Sequence, residues 1–174
     1  DRHARSIMSR ASATFVLRAL AADLTGNTTS FAMYQSTFTL DRVDPDSNIT
    51  LPLTENGDVT SIASIEGTAA DFTAGISTVQ IRIYQPTGGA QDASCSGAVN
   101  NDKYWNGNAW QAGEVWLGVN ALGGGPPNYA WTLNSSAVGF SPVCFYIVKS
   151  SAVDNADNRA PLNADAAAGS RRFR

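Results

Sequence analysis

The stretches LAADLTGNTTS at 20–30 and SAVDNADNR at 151–159 carry one pattern twice, Ala-x-Asp-x-x-[Gly/Asp]-Asn. Superposed, Ala21 meets Ala152, Asp23 meets Asp154 and Asn27 meets Asn158, each 131 positions on. Phe15 and Tyr146, and Arg18 and Lys149, fall at the same offset. One offset shared by five positions marks an internal repeat, and a repeat dictates how the chain is divided.

The first copy alone is ambiguous. FVLRALAADL at 15–24 is rich in helix formers and would suit an amphipathic helix. Its counterpart YIVKSSAVD at 146–154 alternates like a strand, so both copies are read as strands. Further along, STVQIRIYQ at 77–85 sets Val79, Ile81 and Ile83 on one face against Gln80 and Arg82. SIASIEGTA at 61–69, with Ile62 and Ile65, alternates less cleanly, and YAWTLN and VCFYIVKSS repeat the pattern with aromatic and β-branched residues. KYWNGNAW at 103–110 holds Asn106-Gly107 between aromatic runs, a hairpin-turn signal. GGGPP at 123–127 is read as a loop. Several short strands with turns between them indicate an antiparallel sandwich.

The order of motifs EGTAADFTAGISTVQIRI, YWNGNAW, EVWL, YAWTL and AVDNADN resembles the immunoglobulin-like repeats of very large bacterial surface proteins and adhesins. The matching residues are Gly67, Thr68, Ala69 and Asp71, then Tyr104, Trp105, Asn106 and Gly107, then Trp116-Leu117 and the stretch 152–158. Asp157 departs from the pattern, which has Gly there. The resemblance covers about 44–159 and implies an all-β fold, an immunoglobulin-like antiparallel β-sandwich with an extra N-terminal strand segment.

On that basis residues 13–43 resemble the last two strands of a preceding repeat, with a terminal strand STFTLD at 36–41. Residues 44–159 resemble the next repeat, starting at DPDSNITLPL. At the offset of 131, Thr37-Phe38-Thr39-Leu40 maps onto Ala168-Gly169-Ser170-Arg171, which does not read as a strand. The second sandwich is therefore expected to lack its last strand. Residues 1–12 and 160–174 are read as basic extensions. A sandwich short of a strand exposes an edge, and 36–41 is a spare strand of the right type. That strand either folds back within its own chain, giving a closed monomer, or is donated head-to-tail into the next copy; the second reading is preferred, and it makes Thr37, Phe38, Thr39 and Leu40 the expected subunit interface.

Charged residues make up 16% of the chain, while Gly, Ser, Thr, Asn and Ala abound, a balance that suits an extracellular or cell-surface β-protein. Residues 13–160 carry 13 acids against 6 bases, whereas the two ends carry 6 bases against 2 acids, so the tails could dock on neighbouring copies or on an anionic surface, simple solvation being the alternative. The expected partners are copies of the chain head-to-tail, or neighbouring repeats. No nucleic acid is expected, and the apolar runs are too short for membrane insertion. The first residue is Asp and no signal-peptide pattern is present, so a processed or excerpted piece of a longer protein is expected. Cys95 and Cys144 are the two cysteines, and a disulfide between them suits a secreted protein, two reduced thiols being the alternative.

No catalytic constellation emerges, and the chain is read as a non-enzyme. His3 is the single histidine, so a Ser-His-Asp arrangement or a histidine metal site lacks material. Asp92, Asp102 and Glu114 are acids with nothing to single them out as a catalytic pair. No cofactor is expected except a structural calcium ion. Its ligands would come from Asp23, Asn27, Asp41, Asp44 and Asp46, because calcium takes six to eight oxygens. Turn formation is the alternative reading of the same residues. Trp105 and Trp110 could stack on sugar rings, which gives a carbohydrate-binding module as the second reading. Packing across the hairpin is the simpler account of that pair, and core burial of Trp116 and Trp131. Asn27, Asn48 and Asn134 head Asn-x-Ser/Thr triplets.

Overall fold

Phe15 lies opposite Phe38 in an antiparallel pair formed by β1 (Ala13–Arg18) and β2 (Gln35–Leu40). The computed structural model describes residues 12–29, 35–52, 62–87, 95, 102–161 and 170–173. Over these residues the chain is all-β, built of antiparallel sheets, and no helix occurs. It divides into two units, Asp1–Val43 and Asp44–Arg174.

Among its described residues, the first unit holds the antiparallel β1–β2 pair and a turn at 23–27. Helix propensity in FVLRALAADL loses to cross-strand pairing: β1 pairs along its whole length, and the chain then turns at 23–27. In-register pairs share a face, so Ala13, Phe15, Leu17, Ser36, Phe38 and Leu40 line one side. The Phe15 and Phe38 rings stack with centroids 5.3 Å apart. On the opposite side the Thr14 and Thr39 hydroxyls are 3.1 Å apart. Phe38 remains 53% exposed and Leu17 65%. A two-stranded ribbon has too little apolar area to cover itself.

The second unit holds two sheets facing each other across one core, the arrangement of a β-sandwich. One sheet runs β3 (Asp46–Leu51), β4 (Ser64–Ala70), β10 (Asn128–Asn134), β9 (Ala121–Gly125). The other runs β12 (Ser170–Phe173), β11 (Tyr146–Asp154), β5 (Ile76–Gln85), β6 (Lys103–Trp105), β7 (Trp110–Gln111), and β8 (Leu117–Gly118) also pairs with β5. The period-two pattern of β5 sends Val79, Ile81 and Ile83 into the core, where they are fully buried. Ile49, Ile65, Trp131 and Leu133 come from the facing sheet. Trp131 lies opposite Gly67, and its indole N–H donates to the Thr68 carbonyl at 3.1 Å. A Cβ on Gly67 would fall 2.1 Å from the indole ring, which is why the Gly-Thr-Ala motif opens with glycine. Cys95 is bonded to Cys144 with Cα atoms 5.7 Å apart, and both are buried in this core.

Two expectations are corrected. GGG at 123–125 is no loop but the end of β9, an edge strand paired with β10, where glycine is tolerated because one flank needs no partner. More consequentially, the sandwich does not stop at 159. Ser170 to Phe173 forms β12 beside β11, and Phe173 is 1% exposed. The 160–174 segment is therefore only partly a tail. Of the N-terminal extension 1–12, all but Ser12 lies outside the described residues, His3 included.

The reason β12 escapes the fixed offset is visible in its register. Phe38 pairs with Phe15, and Phe173 pairs with Tyr146. Phe15 to Tyr146 is 131 positions, but Phe38 to Phe173 is 135. Four extra residues in the second connection shift the strand out of alignment. With the shift restored, Gln35, Ser36 and Thr37 match Ser170, Arg171 and Arg172, each opposite the equivalent residue of the partner strand.

Candidate functional site

The repeated Ala-x-Asp pattern builds the same turn twice. In the first unit, Asp23 Oδ1 accepts from the main-chain N–H of Thr25 and of Asn27, both at 2.9 Å. Its Oδ2 accepts from Asn27 Nδ2 at 2.7 Å. In the second, Asp154 Oδ1 accepts from the N–H of Ala156 at 2.7 Å and of Asn158 at 2.8 Å, and Oδ2 from Asn158 Nδ2 at 2.8 Å. The main chain agrees as well: Asp23 N–H donates to Asn27 O and Asp154 N–H to Asn158 O. Bridges Ala22↔Thr28 and Val153↔Arg159 close the two turns. Gly26 holds a φ of 91°, and Asp157 holds 65° at the equivalent place. Aspartate is among the few side chains that enter this left-handed region readily, which accounts for its tolerance there.

The two turns differ in burial. Asp23 is exposed, and hydrogen bonds from the Asn27 and Thr25 side chains, with the Asn27 amide, lower its pKa to about 2. Asp154 is fully buried. Beside it stands Asp71, 2% exposed, at the end of β4. Asp71 Oδ1 accepts from three successive amides, Thr73 at 3.0 Å and Ala74 and Gly75 at 2.7 Å each. Gly75, with a φ of 73°, lets the chain close this loop, and a Cβ there would sit 2.6 Å from the Tyr129 hydroxyl. Asn155 ties the two loops together: its N–H donates to Gly75 O at 3.0 Å and its Nδ2 to Ala74 O at 2.8 Å. Ligating oxygens of Asp71 and Asp154 lie within 4.8 Å of each other.

Of the five residues expected to hold calcium, Asp23 and Asn27 bond to each other. Asp41 Oδ1 accepts from Ser12 Oγ at 2.5 Å and from Val43 N–H at 3.0 Å. Asp44 is exposed. Asp46 accepts from its neighbours, Ser47 N–H and Asn48 Nδ2. Each of the bonded groups takes part in a local turn or strand-end contact. Asp71 was noted in the sequence only as part of a motif; the structure places it beside Asp154, 83 positions away, and no spacing rule connects the two.

The aromatic candidates are packed. Trp105, 7% exposed, meets Trp110 edge-on across the hairpin at 5.6 Å, and Trp110 tilts over Tyr146 at 5.7 Å. On the outer side of β5, Arg82 lies over the rings of Tyr84, Tyr104 and Trp116 and bonds to Glu114 Oε2 at 2.7 Å. Burial raises the Tyr104 pKa, with the charge of Asp102 adding to it. Burial alone would raise the Glu114 pKa too, but the Trp116 N–H bond and the Arg82 charge outweigh it and hold the group low. Glu114 is thus committed to Arg82, and Asp102 Oδ1 accepts from Thr87 N–H. Asp92 lies outside the described residues. Among the triplet asparagines, Asn27 is held by Asp23, Asn48 donates to Asp46, and Asn134 Oδ1 accepts from Ser136. Thr37, Phe38, Thr39 and Leu40 all lie on β2 and are exposed.

A scan against protein-family models finds no match to this chain, and a search of curated proteins finds none either.

Proposed function

We propose that the chain is a non-catalytic, extracellular structural module of the immunoglobulin-like kind, a repeat of a surface adhesin or a subunit of a cell-surface filament. One observation carries the reading. The β1–β2 hairpin duplicates the β11–β12 hairpin in register, in turn chemistry and in its cross-strand aromatic stack. In the second hairpin the stacked pair is buried, Tyr146 and Phe173 each 1% exposed; in the first, Phe38 is half exposed. The first hairpin is thus the closing pair of a sandwich whose other strands must come from elsewhere.

Sheet order supports the immunoglobulin-like reading. With β3, β4, β5, β9, β10, β11 and β12 taken as A, B, C, D, E, F and G, the sheets run A-B-E-D and G-F-C. A buried disulfide is compatible with an extracellular location.

Head-to-tail assembly by strand donation takes a more specific form than an open groove. β12 already stands beside β11, so β2 of one copy would have to replace β12 of the next. β2 is six residues long against four and brings Phe38 to the position of Phe173. Light scattering and electron microscopy of the purified chain test this, with concentration-dependent head-to-tail oligomers expected and their loss in Phe38→Asp. A monomer whose Phe38 is shielded inside its own sandwich would overturn the reading. The carbohydrate alternative gains nothing from the structure, since Trp105 and Trp110 pack on each other.

A further inference from the structure

We propose that the second unit binds a divalent cation of the calcium type between the carboxylates of Asp71 and Asp154. Both groups are buried, and their ligating oxygens lie within 4.8 Å. Neither carries an ion pair among the described residues. Two carboxylates this close and this far from water call for a cation between them.

The second observation is Asp71 Oδ2. Its partner Oδ1 is held by three amides, which fixes the carboxylate plane, yet Oδ2 is buried with no hydrogen-bond partner. A buried, unsatisfied carboxylate oxygen at a fixed position calls for a ligand. Asp154 is likewise oriented by Ala156 and Asn158, and Asn155 clamps the two loops at a set separation. The donors are oxygens alone, without histidine or thiolate, which selects a hard cation over zinc or copper. Bound there, the ion would join the loop after β4 to the turn after β11.

Thermal unfolding of the whole chain, first stripped with chelator and then titrated with calcium chloride, tests the site. At calcium about a hundred times the dissociation constant, Tm should rise by roughly 5–10 °C. Asp71→Asn keeps an acceptor for the three amides and gives Asp154 a donor. It should be at least as stable as the parent in chelator and show no calcium response, whereas Asp23→Asn should respond in full. Terbium luminescence, sensitised by Tyr129 beside Gly75 and competed by calcium, reads the site in the parent even if the variant fails to fold. Equal parent Tm in calcium and chelator overturns the proposal, as does a response retained in Asp71→Asn or no competable terbium signal.

Discussion

Phe173 stacks on Tyr146 across β12 and β11 with ring centroids 5.7 Å apart, and the contact repeats Phe38 on Phe15 in the first unit. The two stacks are similar in geometry, with ring planes 28° and 18° apart, and differ in burial. Phe140 also packs edge-on against both rings of the second stack, at 4.8 Å from Tyr146 and 5.4 Å from Phe173. The energetic value of one stack is therefore set by what covers it.

Phe173→Ala should destabilise the sandwich by about 3–5 kcal/mol, the usual range for truncating a buried phenylalanine. Phe38→Ala in the isolated chain should leave the same transition within about 0.5 kcal/mol, as exposed positions do. Urea unfolding followed by tryptophan fluorescence separates the two. Equal effects would mean that the hairpins do not differ in burial.

Gly67→Ala should be among the most damaging single changes. Its Cβ would meet the Trp131 ring and the Asn48 carbonyl at 2.1 Å, neither of which can move without opening the sheet. A loss of about 3 kcal/mol or more is expected, with a red shift of Trp131 emission. Gly118→Ala, with no atom within 4 Å of the added carbon, is the control and should change little.

Opening the Cys95–Cys144 disulfide should lower stability by roughly 3–4 kcal/mol, since the bond closes a segment of 49 residues in the unfolded chain. Unfolding curves with and without reductant measure the difference. Thiol titration of the untreated chain should find none free.

Asp23 should titrate near 2, against an ordinary value of 3.8. A depressed carboxyl stabilises its turn above the ordinary value, and that contribution disappears as pH falls through about 2. Carboxyl-carbon NMR should show this, and Asn27→Ala, which removes the largest cause, should move the midpoint up toward 3.8. An unchanged midpoint would mean that the Asn27 bond does not form in solution.

Much of the architecture was legible from local chemistry. The alternation of STVQIRIYQ specifies β5 because side chains of a strand point alternately to core and solvent. Asn106-Gly107 specifies the β6–β7 hairpin, where Gly107 takes a φ of 98°. The Ala-x-Asp repeat reports two equal turns because its hydrogen bonds reach no further than four residues. Two cysteines allow one intramolecular pairing. Each of these depends on neighbours in sequence.

Tertiary structure alone decided the rest. β12 is stabilised by pairing with β11 and by burying Phe173, neither of which its short sequence signals. A fixed offset could not find it past a four-residue insertion. The burial that separates Phe173 from Phe38 is likewise absent from two strands of similar pattern, because burial belongs to the surrounding sheets. Asp71 and Asp154 meet only because β4 and β11 end at the same edge of the sandwich, where Asn155 links their loops. Proximity of two carboxylates 83 positions apart is a property of packing, and local sequence holds no record of it.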